Sequence, residues 1–261
     1  MYENKSFLQP NKLVALIGYI FIFFVGSSII TALIIKIYSL FSNDSFQELF
    51  NLIVTTDDFE KLTDIQLRNY AMINSIANFT IYLFLTIFVC FYMRDLIKLD
   101  FEKFNNEWQK YLGLLVIFTI GFYSISFLIE YIISLFVSDT SSNQESIIIM
   151  IKNGGAFFVF LNVVLFAPIV EELIYRKIIF SLLERKPIYL SYIVSSFTFA
   201  LPHMFSTKTN IIDWFLLLIP YLSSALLLCT AYHLSKKNIF ITIGIHLINN
   251  LIAFIIIYGG L

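Results

Sequence analysis

Apolar residues run through this chain in long, nearly unbroken stretches, with most polar residues gathered in the gaps between them. A membrane helix needs about 20 mostly apolar residues. Stretches of that kind occupy Leu13–Ile35, Ala71–Met93, Tyr111–Val137, Ala156–Phe180, Ile188–Phe205, Ile212–His233 and Ile239–Tyr258. The pattern predicts an all-α fold, a polytopic integral membrane helical bundle of about seven transmembrane helices. The longest polar connection, Asn43–Arg68, holds Asp44, Glu48, Asp57, Asp58, Glu60 and Asp64 against Lys61 and Arg68. The next connection holds Arg94, Lys98, Lys103 and Lys110, and later ones hold Arg185 with Lys186 and Lys236 with Lys237. Basic clusters on alternate connections place those connections and the polar N-terminus, Met1–Lys12, in the cytoplasm. Gly259-Gly260-Leu261 would then lie outside.

Composition agrees: 59% of residues are hydrophobic and 13% charged, against about 25% charged in soluble domains. The mean hydropathy is +0.83. A net charge of -1 gives no support for nucleic-acid binding. Cys90 and Cys229 lie inside apolar runs and form no CxxC, which suggests neither a disulfide framework nor a zinc knuckle. No small-residue cleavage site follows the first apolar run, so that run reads as an uncleaved span. Richness in Ile, Phe, Lys and Asn points to an AT-rich bacterial genome and so to a bacterial cell membrane. No internal repeat and no Pro- or Ser-rich linker divides the chain, and residues 1–261 read as one integral membrane domain.

Polar chemistry is unevenly distributed along the spans. The first three carry little beyond Asn74 and Asn78, four residues apart and suited to helix packing, and Glu130 near an outer end. The second half holds Pro168-Ile169-Val170-Glu171-Glu172-Leu173-Ile174-Tyr175-Arg176 directly after an apolar run. Ionisable residues inside a membrane are costly and mark functional sites by default. On a helix, Glu172 and Arg176 share a face, whereas Glu171 points roughly 100° away. One carboxylate is then held by arginine and the other is free to face a cavity. A solvated ion pair where a helix leaves the bilayer would use the same spacing.

Phe199-x-x-x-His203 and His246-x-x-x-Asn250 each put two side chains on one helix face. His233, just before Ser235-Lys236-Lys237, reads as interfacial. Three spans that each carry costly polar groups are best explained by one shared, hydrated cavity. A carboxylate beside an imidazole can deprotonate and orient a water for attack on a carbonyl. A second imidazole and a carboxamide can stabilise the oxyanion that develops. No GxSxG motif occurs and neither cysteine has a neighbouring histidine, so covalent catalysis has weak support.

Glu171-Glu172-x-x-x-Arg176, Phe199-x-x-x-His203 and His246-x-x-x-Asn250, in this order, resemble the CAAX protease and bacteriocin-processing family. This is the Abi family of intramembrane proteases, related to the type II CAAX prenyl endopeptidases. The resemblance covers roughly residues 156–258, the expected catalytic core, and the first three spans add nothing to it. It implies that Glu171 activates the water with help from His203, that His246 and Asn250 stabilise the oxyanion, and that Glu172 and Arg176 shape the site. Asn249 has no assignable role. The implied partners are a peptide or membrane-protein substrate and the surrounding membrane lipid.

Zinc held by Glu171, His203 and His246 is the alternative mechanism, but no HExxH pair is present. The expectation is therefore hydrolysis without a cofactor. A non-enzymatic bacteriocin-immunity or membrane regulatory protein and, less well supported, a proton-coupled transporter are the alternative functions. One tension stands against a common site. Counted from the cytoplasmic ends, His246 lies roughly 10 Å into its span and His203 roughly 22 Å, so straight parallel helices would separate them. A helix ended or kinked at Pro202 or Pro168 would relieve this.

Overall fold

In a computed structural model, residues 10–56, 58–137 and 140–260 are described. Asp57, Leu261 and the first nine residues of the polar N-terminus lie outside the described residues. Among the described residues there is no strand. The chain is all-α and polytopic, with six helices among the described residues long and apolar enough to cross a membrane.

The main helices are α1 (Pro10–Ser39), α2 (Phe46–Thr55), α3 (Asp64–Asn106), α4 (Trp108–Ser134), α5 (Ser142–Met150), α6 (residues 156–180), α7 (Ile188–Ala200), α8 (Ile211–Leu234) and α9 (Ile239–Gly259). α5 and α6 form a single apolar segment interrupted at Asn153 and Gly154, where Gly154 takes φ 101°. A left-handed glycine there ends one helix and re-aims the next. At Gly155 a Cβ would stand 2.6 Å from Ser75 Oγ, so only glycine lets α6 start this close to α3.

The expected span Ile188–Phe205 is the one that departs from the sequence reading. Its helix, α7, has 13 residues, about 20 Å at 1.5 Å per residue, short of the ~30 Å hydrocarbon core. Leu201–Met204 then tightens into a 3-10 turn around Pro202. Proline lacks the N–H that the next helical bond needs, so the helix stops there. α7 turns its serines inward: Ser195 Oγ donates to the Tyr175 carbonyl of α6 at 2.8 Å, and Ser196 faces Cys229 of α8.

α3 is the long axis of the bundle. Its 43 residues span about 64 Å, well beyond the hydrocarbon. A capping box of Thr63 and Gln66 starts it. Ile73, Ala77, Ile81, Leu85, Val89 and Met93 are buried at a spacing of four. The lower part of this stripe packs with Val170, Leu173, Ile174 and Ile178 of α6. Asn74 bonds within its own helix, to the Tyr70 carbonyl, while Asn78 reaches Met150 Sδ at 4.0 Å.

The basic connections meet at one end of the bundle. Lys237 pairs with Glu184 at 2.9 Å. Lys177 of α6 pairs with Asp100 of α3 and donates to the Lys237 carbonyl at 3.2 Å. Asp100 Oδ2 also accepts from Ile239 N at 3.0 Å, and its carbonyl accepts from Asn238 Nδ2 at 2.9 Å. Asp100 therefore caps α9 and grips α6 at once, which sets the relative height of the two helices. At the other end, Tyr38 donates to Asn69 at 3.0 Å, and Asn69 to Asp44 at 2.6 Å.

Candidate active site

The site is built on α6, whose winding is irregular. Phe160–Phe166 and Leu173–Phe180 are π-helical, on either side of an α-helical stretch, Ala167–Glu172. In the first π segment Ala167 N bonds the Asn162 carbonyl, five residues back. The next donor in that register would be Pro168, which has none, and the Val163 carbonyl is left without a helical partner. Asn250 of α9 supplies it: Asn250 Nδ2 donates to Val163 O at 2.8 Å. Asn249 Nδ2 in turn donates to Asn250 Oδ1 at 3.2 Å, which gives Asn249 an orienting role. π turns are frequent at functional sites for this reason, since they free backbone groups and redirect side chains.

Glu171 and Glu172 point to different neighbours. Glu172 is 0% exposed, as is Arg176, and its Oε2 stands 3.3 Å from Arg176 Nε. That contact is an ion pair without hydrogen-bond alignment. Glu172 Oε1 lies 3.1 Å from His246 Nδ1. Arg176 places its guanidinium 4.6 Å from the centre of the Phe199 ring and donates to the Ala225 carbonyl at 3.4 Å. Glu171 accepts from the Tyr82 hydroxyl of α3 at 3.0 Å through Oε1. Its Oε2 stands 3.9 Å from His246 Nε2. His246 is thus set between the two carboxylates, one on each ring nitrogen.

His203 sits in the 3-10 turn, with Nδ1 2.9 Å from the Phe199 carbonyl. A carbonyl only accepts, so Nδ1 carries the proton and a neutral His203 presents a bare Nε2. By the same argument Glu172 fixes the proton of a neutral His246 on Nδ1 and leaves its Nε2 to accept. Phe199 joins the two histidines: its ring centre is 5.1 Å from that of His203 and 5.8 Å from that of His246. Both histidine rings therefore pack against one ring, that of Phe199, one helical turn before His203. His203 is also stacked on Tyr221 of α8 at 4.7 Å, and the Tyr221 hydroxyl bonds Ser141 at 2.6 Å.

Glu171, Glu172, Arg176 and His246 are therefore in mutual contact, His203 joins them through the Phe199 ring, and Asn250 bonds the α6 backbone at Val163 instead of any of the five. Tyr82 is the member that sequence reasoning missed. The signal for it was the polar stripe Asn78, Tyr82 and Thr86, spaced by four along an otherwise apolar helix. Among the described residues, no three His, Cys, Asp or Glu side chains stand where they could share a metal ion. As placed, Glu171, His203 and His246 do not fit a three-ligand zinc site, which needs ligand atoms about 2 Å from one point.

The fold and site define a multi-pass membrane protein whose polar residues form a carboxylate–imidazole centre within the bundle. Residues 153–252 match the family model described as type II CAAX prenyl endopeptidase Rce1-like. This stretch, from the α5–α6 break into α9, is similar to a domain of a CAAX-type membrane protease family and covers less than half of the chain. The match leaves out α1 to α5, of which α3 contributes Tyr82 and Asp100 to the fold around the site. No curated protein and no solved structure matches the chain.

Proposed function

We propose that the protein is an Abi-type intramembrane endopeptidase of the cell membrane that hydrolyses a peptide or membrane-protein substrate by a water held between Glu171 and His246. The observation that carries this reading is the 3.9 Å gap between Glu171 Oε2 and His246 Nε2. Two acceptors at that separation are too far apart to bond each other. An oxygen about 2.8 Å from each would subtend roughly 90°, which suits the two protons of one water. Such a water directs its lone pairs away from both groups, toward an incoming carbonyl.

The residues then divide the work. Glu171 takes the proton released as the water attacks. His246 Nε2 holds the second proton, and Glu172 fixes its ring through Nδ1. Arg176 holds Glu172 in a buried ion pair, Nε to Oε2 at 3.3 Å. As the C–N bond breaks, Glu171 hands the proton it took on to the leaving nitrogen, and His203, when protonated from solvent at Nε2, donates a hydrogen bond to the oxyanion. Asn250 keeps one N–H beyond its bond to Val163 for the oxyanion. This arrangement moves His246 from oxyanion donor, its role by resemblance, to partner of Glu171.

The direct test is cleavage of a membrane-embedded peptide library by purified protein in proteoliposomes, with products mapped by mass spectrometry. Cleavage that persists in the wild type and disappears in Glu171→Gln supports the reading. A wild type without cleavage rejects it. Hydrolysis is expected to survive exhaustive chelation. Near-stoichiometric zinc, with activity lost on its removal and restored on its return, would reject the metal-free form of the mechanism.

Asn250→Ala is expected to lower turnover by about 10²–10³-fold, the usual effect of losing one oxyanion donor, with KM changed much less. It also strands the Val163 carbonyl, at about 1–3 kcal/mol of stability. Steady-state kinetics and thermal melting of the same preparation separate the two effects. Unchanged turnover with a lowered Tm would leave Asn250 a structural clamp alone.

A further inference from the structure

The contact between Tyr82 and Glu171 crosses from the unmatched part of the chain to the matched part. We infer that Tyr82 is a positioning residue for hydrolysis: its hydroxyl pins Oε1 of Glu171 so that Oε2 faces His246 and the attacking water. The inference rests on Glu171 being the base, as read above.

A glutamate side chain has three torsions, the last of them broad. Without a fixed partner its carboxylate swings, and the oxygen that takes the proton is not held where the water sits. The effect of such looseness is large, because small displacements of reacting groups are magnified in rate. Tyr82 is itself well held. It stands beside the buried residues Ile81 and Leu85 on α3 and packs against the same core cluster as Val170 and Ile174 of α6. The backbone around it is also tied, since Thr86 Oγ1 donates to the Tyr82 carbonyl at 2.7 Å.

Tyr82 is the phenol bonded to Glu171 Oε1, at 3.0 Å, among the neighbouring tyrosines described. Tyr19 and Tyr175 share a hydrogen bond with each other at 2.9 Å. The geometry also has only one polarity: a phenol donates a single proton, and an ionised carboxylate only accepts. Tyr82 on Oε1 therefore leaves Oε2 as the oxygen turned to His246 Nε2, 3.9 Å away. A phenol that merely sought any partner in an apolar interior would affect stability and leave the kinetics alone, which separates the two roles.

Tyr82→Phe in the full-length protein removes the hydroxyl and keeps the ring. The expected result is a fall in kcat of about 10–100-fold, by the sensitivity of rate to misplacement, with KM within about 2-fold and little change in Tm. A second readout needs no substrate. In protein labelled with ¹³C at glutamate carboxyl groups, infrared difference spectra of Tyr82→Phe against wild type should show a shifted carboxylate stretch. The same substitution on a Glu171→Gln background should show no such shift. An active wild type whose kcat is unchanged by Tyr82→Phe overturns the proposal alone. So does a kcat loss that tracks a lowered Tm without a carboxylate shift. Wild-type protein that cleaves nothing overturns the hydrolase reading, and the proposal with it, whatever the infrared band does.

Discussion

Glu171→Gln is expected to lower proteolysis by about 10²–10⁴-fold, the range for loss of a general base, while the protein inserts and melts as the wild type does. The structure explains why the fold should tolerate the change. Gln keeps the volume of the side chain, and its carbonyl oxygen still accepts from the Tyr82 hydroxyl that now bonds Oε1. Its amide nitrogen takes the place of Oε2 and faces the bare Nε2 of His246, an acceptor, so the packing gains a compatible neighbour. What disappears is the basicity. An amide cannot take the proton of the attacking water, and its N–H would compete for the histidine that holds that water. The measurement is single-turnover cleavage beside thermal melting on one detergent preparation. Activity within a few-fold of wild type would remove Glu171 from the chemistry. A collapsed melting curve would make it a structural residue instead.

Breaking the pair of Glu172 and Arg176 should give the largest stability loss in the molecule, and an asymmetric one. Both side chains are fully buried, and removing one partner of a buried pair strands the other charge, at about 3–5 kcal/mol. In Arg176→Met, Glu172 still has His246 Nδ1 at 3.1 Å. In Glu172→Met, Arg176 keeps only the Ala225 carbonyl at 3.4 Å and the face of Phe199 among its observed neighbours. Glu172→Met is therefore expected near the top of that range and Arg176→Met near the bottom. The double variant should lose much less than the sum of the two. Thermal or chemical denaturation of all four proteins completes the cycle, and additive losses would show that the two charges do not support each other.

Much of the fold was legible because membrane helices announce themselves by length and composition. Six of the expected spans coincide with long apolar helices, to within a few residues in their cores. α3 runs far past the expected Ala71–Met93 because helix continues through polar residues from Arg94 to Asn106, where hydropathy gives no sign of it. α7 fell short because Pro202 stops a helix inside a run that remains apolar. The apolar pattern registers solvent, and the break is a matter of backbone hydrogen bonding.

The candidate site was legible in its residues and less so in its partnerships. Spacing along one helix brings Glu172 to Arg176 and Phe199 to His203. It says nothing about which helix lies opposite. The bonds from Tyr82 to Glu171, His246 to Glu172 and Asn250 to Val163 all join distant parts of the chain. The last of these depends on a π turn ahead of Pro168, which no periodicity in the sequence marks.

That wide spacing along the chain has a consequence for how the protein is made. Glu172 and its partner His246 are separated by 74 residues, which a ribosome adds in about 4–15 s at 5–20 residues per second. Throughout that interval Glu172 has no imidazole at its side, because His246 is still unsynthesised. The segment that delivers it, α9, is seated by Asp100, a residue that has by then been waiting on α3. The contact between Glu172 and His246 is consequently completed in a single late step, the docking of one helix.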